Sequence, residues 1–391
     1  MIHKYQILLL GNIKSNATAI IEQLYQSIDD LNLSRNSYKI IRESKFEVEY
    51  KGNQPAYVLF FGGAKSNNGF ETIGKLLKDG CPILPIYYNS FGREIPTILS
   101  NQNGLKFSQN SIPKIVNLIL ESFGNLRDTR RVFISYKRSQ STSVAIQLFE
   151  ALEKNNFDVF LDTHSIKQGE PFQDELWHRM TDCDVILLLN TSKFLESEWC
   201  EKEIAEASAK KIGVVQLVWP GHKLEEMAEL CFPRKLAAAD FKDRLHKSKS
   251  RAKLVQRVLD EVVATVESVR ARNLASRQDS LITNFLNTAN DVGKKVSLQP
   301  ERFIIENLPR KKKRLFVPLI GVPQSMNCER SSQLGQRIDK EIGSKSVRDV
   351  VLIYDHFRIR EKWLKHLDYL NKYLDVKTLK KEEFRSWLEK H

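Results

Sequence analysis

Trp199 and Glu203 stand four residues apart in the stretch ESEWCEKE. On a helix that spacing puts an indole and a carboxylate on one face, a turn apart. A flat apolar wall beside a charge acceptor suits a substrate with a ring to stack and hydroxyls to bind. The same spacing serves equally for packing plus a solvated charge, so the neighbouring segments have to decide. The polar loop DTHSIKQGEP runs from Asp162 to Pro171 through Gly169 and leads into Phe172. Lys137 and Arg138 follow the apolar run VFISY, in which Ser135 is the polar member. Paired cations at such a place suit a phosphate or diphosphate. Together these groups would bind an anionic dinucleotide and present Glu203 to a ribose.

The elements that must position them alternate. Val132 to Tyr136, Phe157 to Leu161, Asp184 to Leu189 and Val214 to Trp219 read as strands. Val144 to Lys154, Phe172 to Met180 and Glu198 to Lys210 read as helices between them. Four such units predict a parallel sheet covered on both faces, with ligands held beyond the carboxyl ends of the strands. The loops after Tyr136, Leu161 and Leu189 then share one rim. Asp162 at the end of its strand either touches substrate or merely caps the loop. His164 and His178 lack ligand spacing and receive no role. Cys200 reads as a small packing residue rather than a nucleophile, because no base is placed for it.

In order and spacing, residues 131 to about 220 resemble a Toll/interleukin-1 receptor (TIR) domain. VFISYKRS is similar to its first box, FLDTHSIKQGEPF to its second strand and BB loop, and ESEWCEKE to the WCxxE box of its bacterial enzymes. The resemblance implies a flavodoxin-like fold and one of two activities. TIR domains are either homotypic interaction modules or enzymes that cleave the nicotinamide-ribose bond of NAD. It further implies that Glu203 is the catalytic glutamate. Ser135, Lys137, Arg138, Asp162, Gly169, Phe172 and Trp199 would line the substrate site, and Trp219 would match an aromatic supplied from an adjacent copy. NAD would be the substrate, with no cofactor and no metal. Loss of neutral nicotinamide leaves an oxocarbenium-like ribose, whose positive charge a carboxylate stabilises. Such an enzyme is expected to be an immune effector against phage, held off until the TIR domains assemble.

The remainder of the 391 residues predicts two flanking domains. Residues 1–126 alternate strands (Tyr5 to Leu10, Tyr57 to Phe61, Pro82 to Tyr88) with helices (Ala17 to Leu31, Phe70 to Lys78, Ile115 to Phe123), a small Rossmann-like α/β domain with a possible regulatory role. Gly11 and Gly62-Gly63 follow strands as phosphate-binding glycines do, but without a GxGxxG or GxxxxGK[ST] frame they read more simply as turn glycines. GNLRDTRR reads as a linker. The TIR domain is assigned to 130–245 and a basic, mixed α/β domain to 246–391, for sensing or oligomerisation. In this last part a helix is expected over Ser250 to Ala271, strands at LFVPLI and Val350 to Tyr354, and helices over Glu361 to Tyr373 and Lys381 to Lys390.

Charge separates the parts. Residues 241–391 carry 33 Lys and Arg against 19 Asp and Glu, a balance of +14, whereas the whole chain has +13. The excess favours an anionic partner at the C-terminal region: nucleic acid, nucleotide or an acidic protein face. A non-enzymatic TIR adaptor is the second reading of the chain, and a nucleic-acid sensor, compatible with the enzyme, the third. Five scattered cysteines give neither a zinc site nor a disulfide framework. With no apolar run long enough to span a bilayer and no secretory pattern at the start, a cytoplasmic protein with no membrane partner is expected.

Overall fold

The computed structural model describes residues 5–13, 15–52, 54–63, 70–126, 129–161, 178–191, 212–223, 231–248, 250–357 and 359–391. The chain divides into two compact units, Met1–Asp128 and Thr129–His391.

In the first unit, β1 (Tyr5–Gly11), β2 (Tyr38–Arg42), β3 (Ala56–Phe61), β4 (Ile83–Tyr87) and β5 (Leu105–Lys106) form a parallel sheet in the order β2-β1-β3-β4-β5. β3 is buried along its whole length, as a strand covered by helices on both faces must be. Helices Asn16–Asp30, Phe70–Lys78 and Ile112–Ser122 accompany the sheet. Gly11 is a turn glycine: its φ is 81°, and a Cβ there would lie 2.4 Å from the carbonyl oxygen of Phe61.

The second unit holds two sheets. β6 (Arg131–Ser135), β7 (Asp158–Leu161), β8 (Val185–Asn190), β9 (Gly213–Val218) and β10 (Cys231–Lys235) are parallel and ordered β10-β9-β8-β6-β7. Read from the other edge this is 2-1-3-4-5, the flavodoxin-like order, and the first unit has the same one. Helix Arg138–Glu153 covers the sheet through Val144, Leu148 and Leu152. The other sheet is mixed. β11 (Val296–Leu298), β12 (Ile304–Asn307) and β13 (Lys313–Leu319) are antiparallel, whereas β14 (Val347–Tyr354) and β15 (Lys377–Lys380) continue in parallel. Helices Ser325–Ile342, Glu361–Tyr373 and Phe384–Lys390 complete this part.

One helix of 36 residues, Gln256–Asp291, serves both sheets. Val258, Val262, Val266 and Val269 pack into the core of the parallel sheet. Leu281, Ile282, Phe285 and Ala289 pack into the core of the mixed sheet, where Phe285 meets Phe316 with ring centroids 4.5 Å apart. Val258 and Phe285 are separated by about seven and a half turns, so the two apolar stripes lie on opposite faces. The helix expected over Ser250 to Ala271 thus starts later and runs further. Its start is delayed because Leu254 makes an antiparallel bridge with Phe241, and Val255 is still extended at the N-cap.

Approach of this helix to the sheet is close: a Cβ on Gly213 would lie 2.6 Å from Val269 Cγ1. Polar groups fix its register. Arg270 Nε donates to Asp184 Oδ2 at 2.8 Å with both side chains fully buried, and Arg130 pairs with Glu267. Asn273 donates to the carbonyl of Asp184 at 2.6 Å, and Arg277 to the carbonyls of Cys183 and Thr181 at 2.9 and 2.8 Å. These contacts meet the amino-terminal ends of β6, through Arg130, and of β8. His178 lies buried on a helical segment and stacks on Trp363, with centroids 5.8 Å apart. Burial raises the thiols of Cys81, Cys231 and Cys328, and these and Cys183 are free of disulfides.

Candidate active site

In a sheet ordered 2-1-3-4-5 the chain reverses direction between its first and third strands, and the crevice at their carboxyl ends is where ligands bind. Here those strands are β6 and β8. Register aligns Ser135 with Leu188, so β6 ends beside the last residues of β8. Ser135 is buried at this end, and Tyr136 behind it is buried as well. Lys137 has extended backbone, φ −87° and ψ 112°, and serves as the N-cap of helix Arg138–Glu153. Its carbonyl accepts the N–H groups of Gln140 and Ser141 at 2.9 and 3.0 Å. Ser141 interrupts the helix with non-helical φ −130° and ψ 16°, so Lys137 and the backbone of Arg138 sit on a single turn that precedes the main body of the helix, just beyond the carboxyl end of β6.

Asn190 was not singled out from sequence. It ends β8, is 2% exposed, and donates through Nδ2 to the carbonyl of Lys223 at 2.9 Å. Its own carbonyl accepts the N–H of Trp219 at 2.9 Å. One residue therefore ties the segments after β8 and β9 together at the rim. The signal for it is an amide closing the apolar run DVILLL, where a buried polar group needs assigned partners.

Trp219 follows β9 and is 6% exposed. Its indole Nε1 donates to the carbonyl of His246 at 3.0 Å, and its ring packs on Phe241 with centroids 5.1 Å apart. In this chain the indole is a member of the core, with its one polar atom satisfied internally. Glu203, Trp199, Asp162, Gly169 and Phe172 lie outside the described residues, as do Cys200 and His164. The structure brings together Ser135, Lys137 and the start of helix Arg138–Glu153 at the crevice.

The first unit has a cleft of about 420 Å³ at the matching place, lined by Asn12, Gly63, Tyr88 and Arg93 among others. The backbone N–H groups that would receive an anion there are engaged. Glu94 accepts those of Tyr88, Asn89 and Ser90 at 2.7, 2.7 and 2.8 Å. Among the described residues no cluster of His, Cys, Asp or Glu is arranged to hold a metal ion, and no helix is long and apolar enough to cross a membrane.

Strand order defines the second unit's parallel sheet as a flavodoxin-like α/β module, the class in which ligands bind at the switch point. Residues 132–258 match the family described as TIR domain, so the chain carries a TIR domain over that segment. The match ends within the long helix, in line with the packing of Val258 into the parallel-sheet core. No curated protein matches the chain. Among solved structures, the crystal structure of tagatose-6-phosphate ketose/aldose isomerase from Escherichia coli is similar at 10% identity with a TM-score of 0.21, over 71% of this chain and 82% of that one. A likeness that low bears on neither fold nor function.

Proposed function

We propose that the TIR domain cleaves the nicotinamide-ribose bond of NAD, with Glu203 as the catalytic carboxylate. The observation that carries this reading is the Trp199-Cys200-x-x-Glu203 spacing inside the segment that matches the TIR family. Glu203 would bind the ribose hydroxyls and stabilise the oxocarbenium-like charge as nicotinamide leaves. Trp199 and Phe172 would stack on the rings of the substrate, and Asp162 and Gly169 would shape the loop over it. Lys137 and Arg138, with Ser135 beside them, would hold the diphosphate through their charges beyond the end of β6. Nicotinamide leaves without needing a proton, so one carboxylate suffices for bond breaking. Capture by water then gives ADP-ribose, and capture by a group of the same molecule gives a cyclic isomer.

Activity of this kind depletes a common metabolite, which fits a triggered immune effector that acts when TIR domains associate. A non-enzymatic adaptor would share the fold but has no use for the Trp199 and Glu203 pair. The experiment is nicotinamide release by the purified full chain at rising protein concentration, compared with Glu203→Ala. Turnover by wild type alone supports the enzyme, and equal turnover by the variant removes Glu203 from the chemistry.

A further inference from the structure

The strand pairings of the mixed sheet bring three chain segments to one end. Val296 pairs with Glu306, Glu306 with Arg314, and Lys313 with Val347. The start of β11, the turn between β12 and β13, and the start of β14 therefore share a rim. Lys294 and Lys295 lead into β11 there. Arg310, Lys311 and Lys312 make the turn and Lys313 opens β13, while Lys345 and Arg348 flank the start of β14. Lys295, Arg310, Lys311, Lys312, Lys345 and Arg348 are exposed.

Three carboxylates of this rim, Glu306, Asp349 and Asp339, are already engaged. Glu306 and Asp349 both hold Arg314, at 2.7 and 2.9 Å, and their remaining ion pairs go to Lys294 and Arg348. Asp339 accepts the N–H groups of Ser346 and Val347 at 2.7 and 2.8 Å. Lys312 acts on Asp339 through its charge, whereas Lys295, Lys345, Arg310, Lys311 and Lys313 form no ion pair with a carboxylate among the described residues. Their display is built rather than incidental. Arg310 and Lys311 take consecutive left-handed conformations, φ 58° and 59°, which cost energy for residues other than glycine. The turn is closed by Leu308 N–H to the carbonyl of Lys312 at 2.8 Å, and Lys312 Nζ ties it to the carbonyl of Lys345 at 2.8 Å.

We propose that this rim is a docking surface for the phosphate backbone of a nucleic-acid duplex. Four strands spaced about 4.8 Å apart give a rim roughly 14 Å wide, close to the ~12 Å major groove whose flanking phosphates it would meet. No aromatic residue occurs in GKKVS, ENLPRKKKR or KEIGSKSVRD, the segments that form it. Single strands are held by stacking on aromatics, and membrane surfaces by an apolar face; here Ile342 is the large apolar side chain exposed. Contacts limited to phosphates position a duplex without reading its sequence. The proposal is independent of the NAD reading.

The test is fluorescence anisotropy of the full chain with labelled duplex DNA and RNA, single strands, and vesicles containing anionic lipid. Duplex binding should be sequence-independent and fall by about 10³-fold between 50 and 200 mM salt, the response for about six phosphate contacts. Arg310→Glu with Lys311→Glu and Lys312→Glu should abolish it, and Arg310→Glu with Lys311→Glu alone, which keeps the Lys312 tie to the Lys345 carbonyl, should weaken it strongly without lowering the melting temperature. Lys295→Ala and Lys345→Ala, outside the turn, should each flatten the log-log salt slope by about 0.9. Absence of duplex binding at 50 mM salt, binding that survives the triple reversal, or binding confined to vesicles or single strands would overturn the proposal.

Discussion

Arg270 Nε lies 2.8 Å from Asp184 Oδ2, and neither side chain is reached by solvent. The pair joins the middle of the long helix to the residue that precedes β8, at the end of the sheet opposite the candidate crevice. A buried pair of this kind is a strong registry device but a vulnerable one. Removal of one partner leaves charge in a medium that cannot solvate it. Arg270→Met is expected to destabilise the chain by about 3 to 5 kcal/mol in urea denaturation. Adding Asp184→Asn should recover part of that loss, and a single variant as stable as wild type would contradict the assigned role.

Trp219 is satisfied within its own chain by the His246 carbonyl and the Phe241 ring. Trp219→Phe keeps the ring and loses one hydrogen bond, so a stability loss of about 1 kcal/mol is expected. Turnover of NAD per folded molecule should not change. A selective loss of turnover at unchanged stability would show that the indole leaves the core to meet substrate.

Asp339 anchors the turn that carries Lys345. Burial acts to raise its carboxyl, but the N–H groups of Val347 and Ser346 outweigh that and hold it below the usual carboxylate range. A depressed value means stability that is fully present above the unfolded carboxylate pKa of about 3.9 and is lost as pH falls through the lower folded value. Asp339→Ala should cost about 1 to 2 kcal/mol near neutrality by leaving N–H groups unpaired. Melting curves of variant and wild type should converge in acid and stay parallel between pH 5 and 7. A gap that widens in acid would reverse the sign of this linkage.

Lys137 is expected to act on substrate binding more than on bond breaking. Hydrogen bonds to charged groups contribute about 1.5 to 3 kcal/mol, so Lys137→Ala should raise KM for NAD roughly 10- to 100-fold, with a smaller effect on kcat. Steady-state nicotinamide release reads both. An unchanged KM would take Lys137 away from the diphosphate.

Much of this architecture is legible in sequence because it rests on uninterrupted apolar runs. VFISY, DVILLL and VVQLVW declare β6, β8 and β9, which are central or nearly so and buried on both faces. β10 escapes because CFPRK is an edge strand, half exposed and interrupted by proline. Helix Ser325–Ile342 escapes because its sequence, SMNCERSSQLGQRIDKEI, is polar around most of its circumference. The long helix is legible only to Ala271, since its second stripe, through Leu281 and Phe285, faces the other way. At the site, spacing and family resemblance point to Glu203 and Trp199, but the hydrogen bonds of Asn190 depend on which strand ends lie side by side, and no local pattern encodes that.

Glu203 remains the residue on which the functional reading turns. The most direct measurement incubates NAD with the full chain and with Glu203→Gln, identifying products by mass at several protein concentrations. Wild type is expected to yield nicotinamide together with ADP-ribose or its cyclic isomer, more steeply than in proportion to concentration, and the folded variant to yield none. Equal product from both proteins would contradict the assignment.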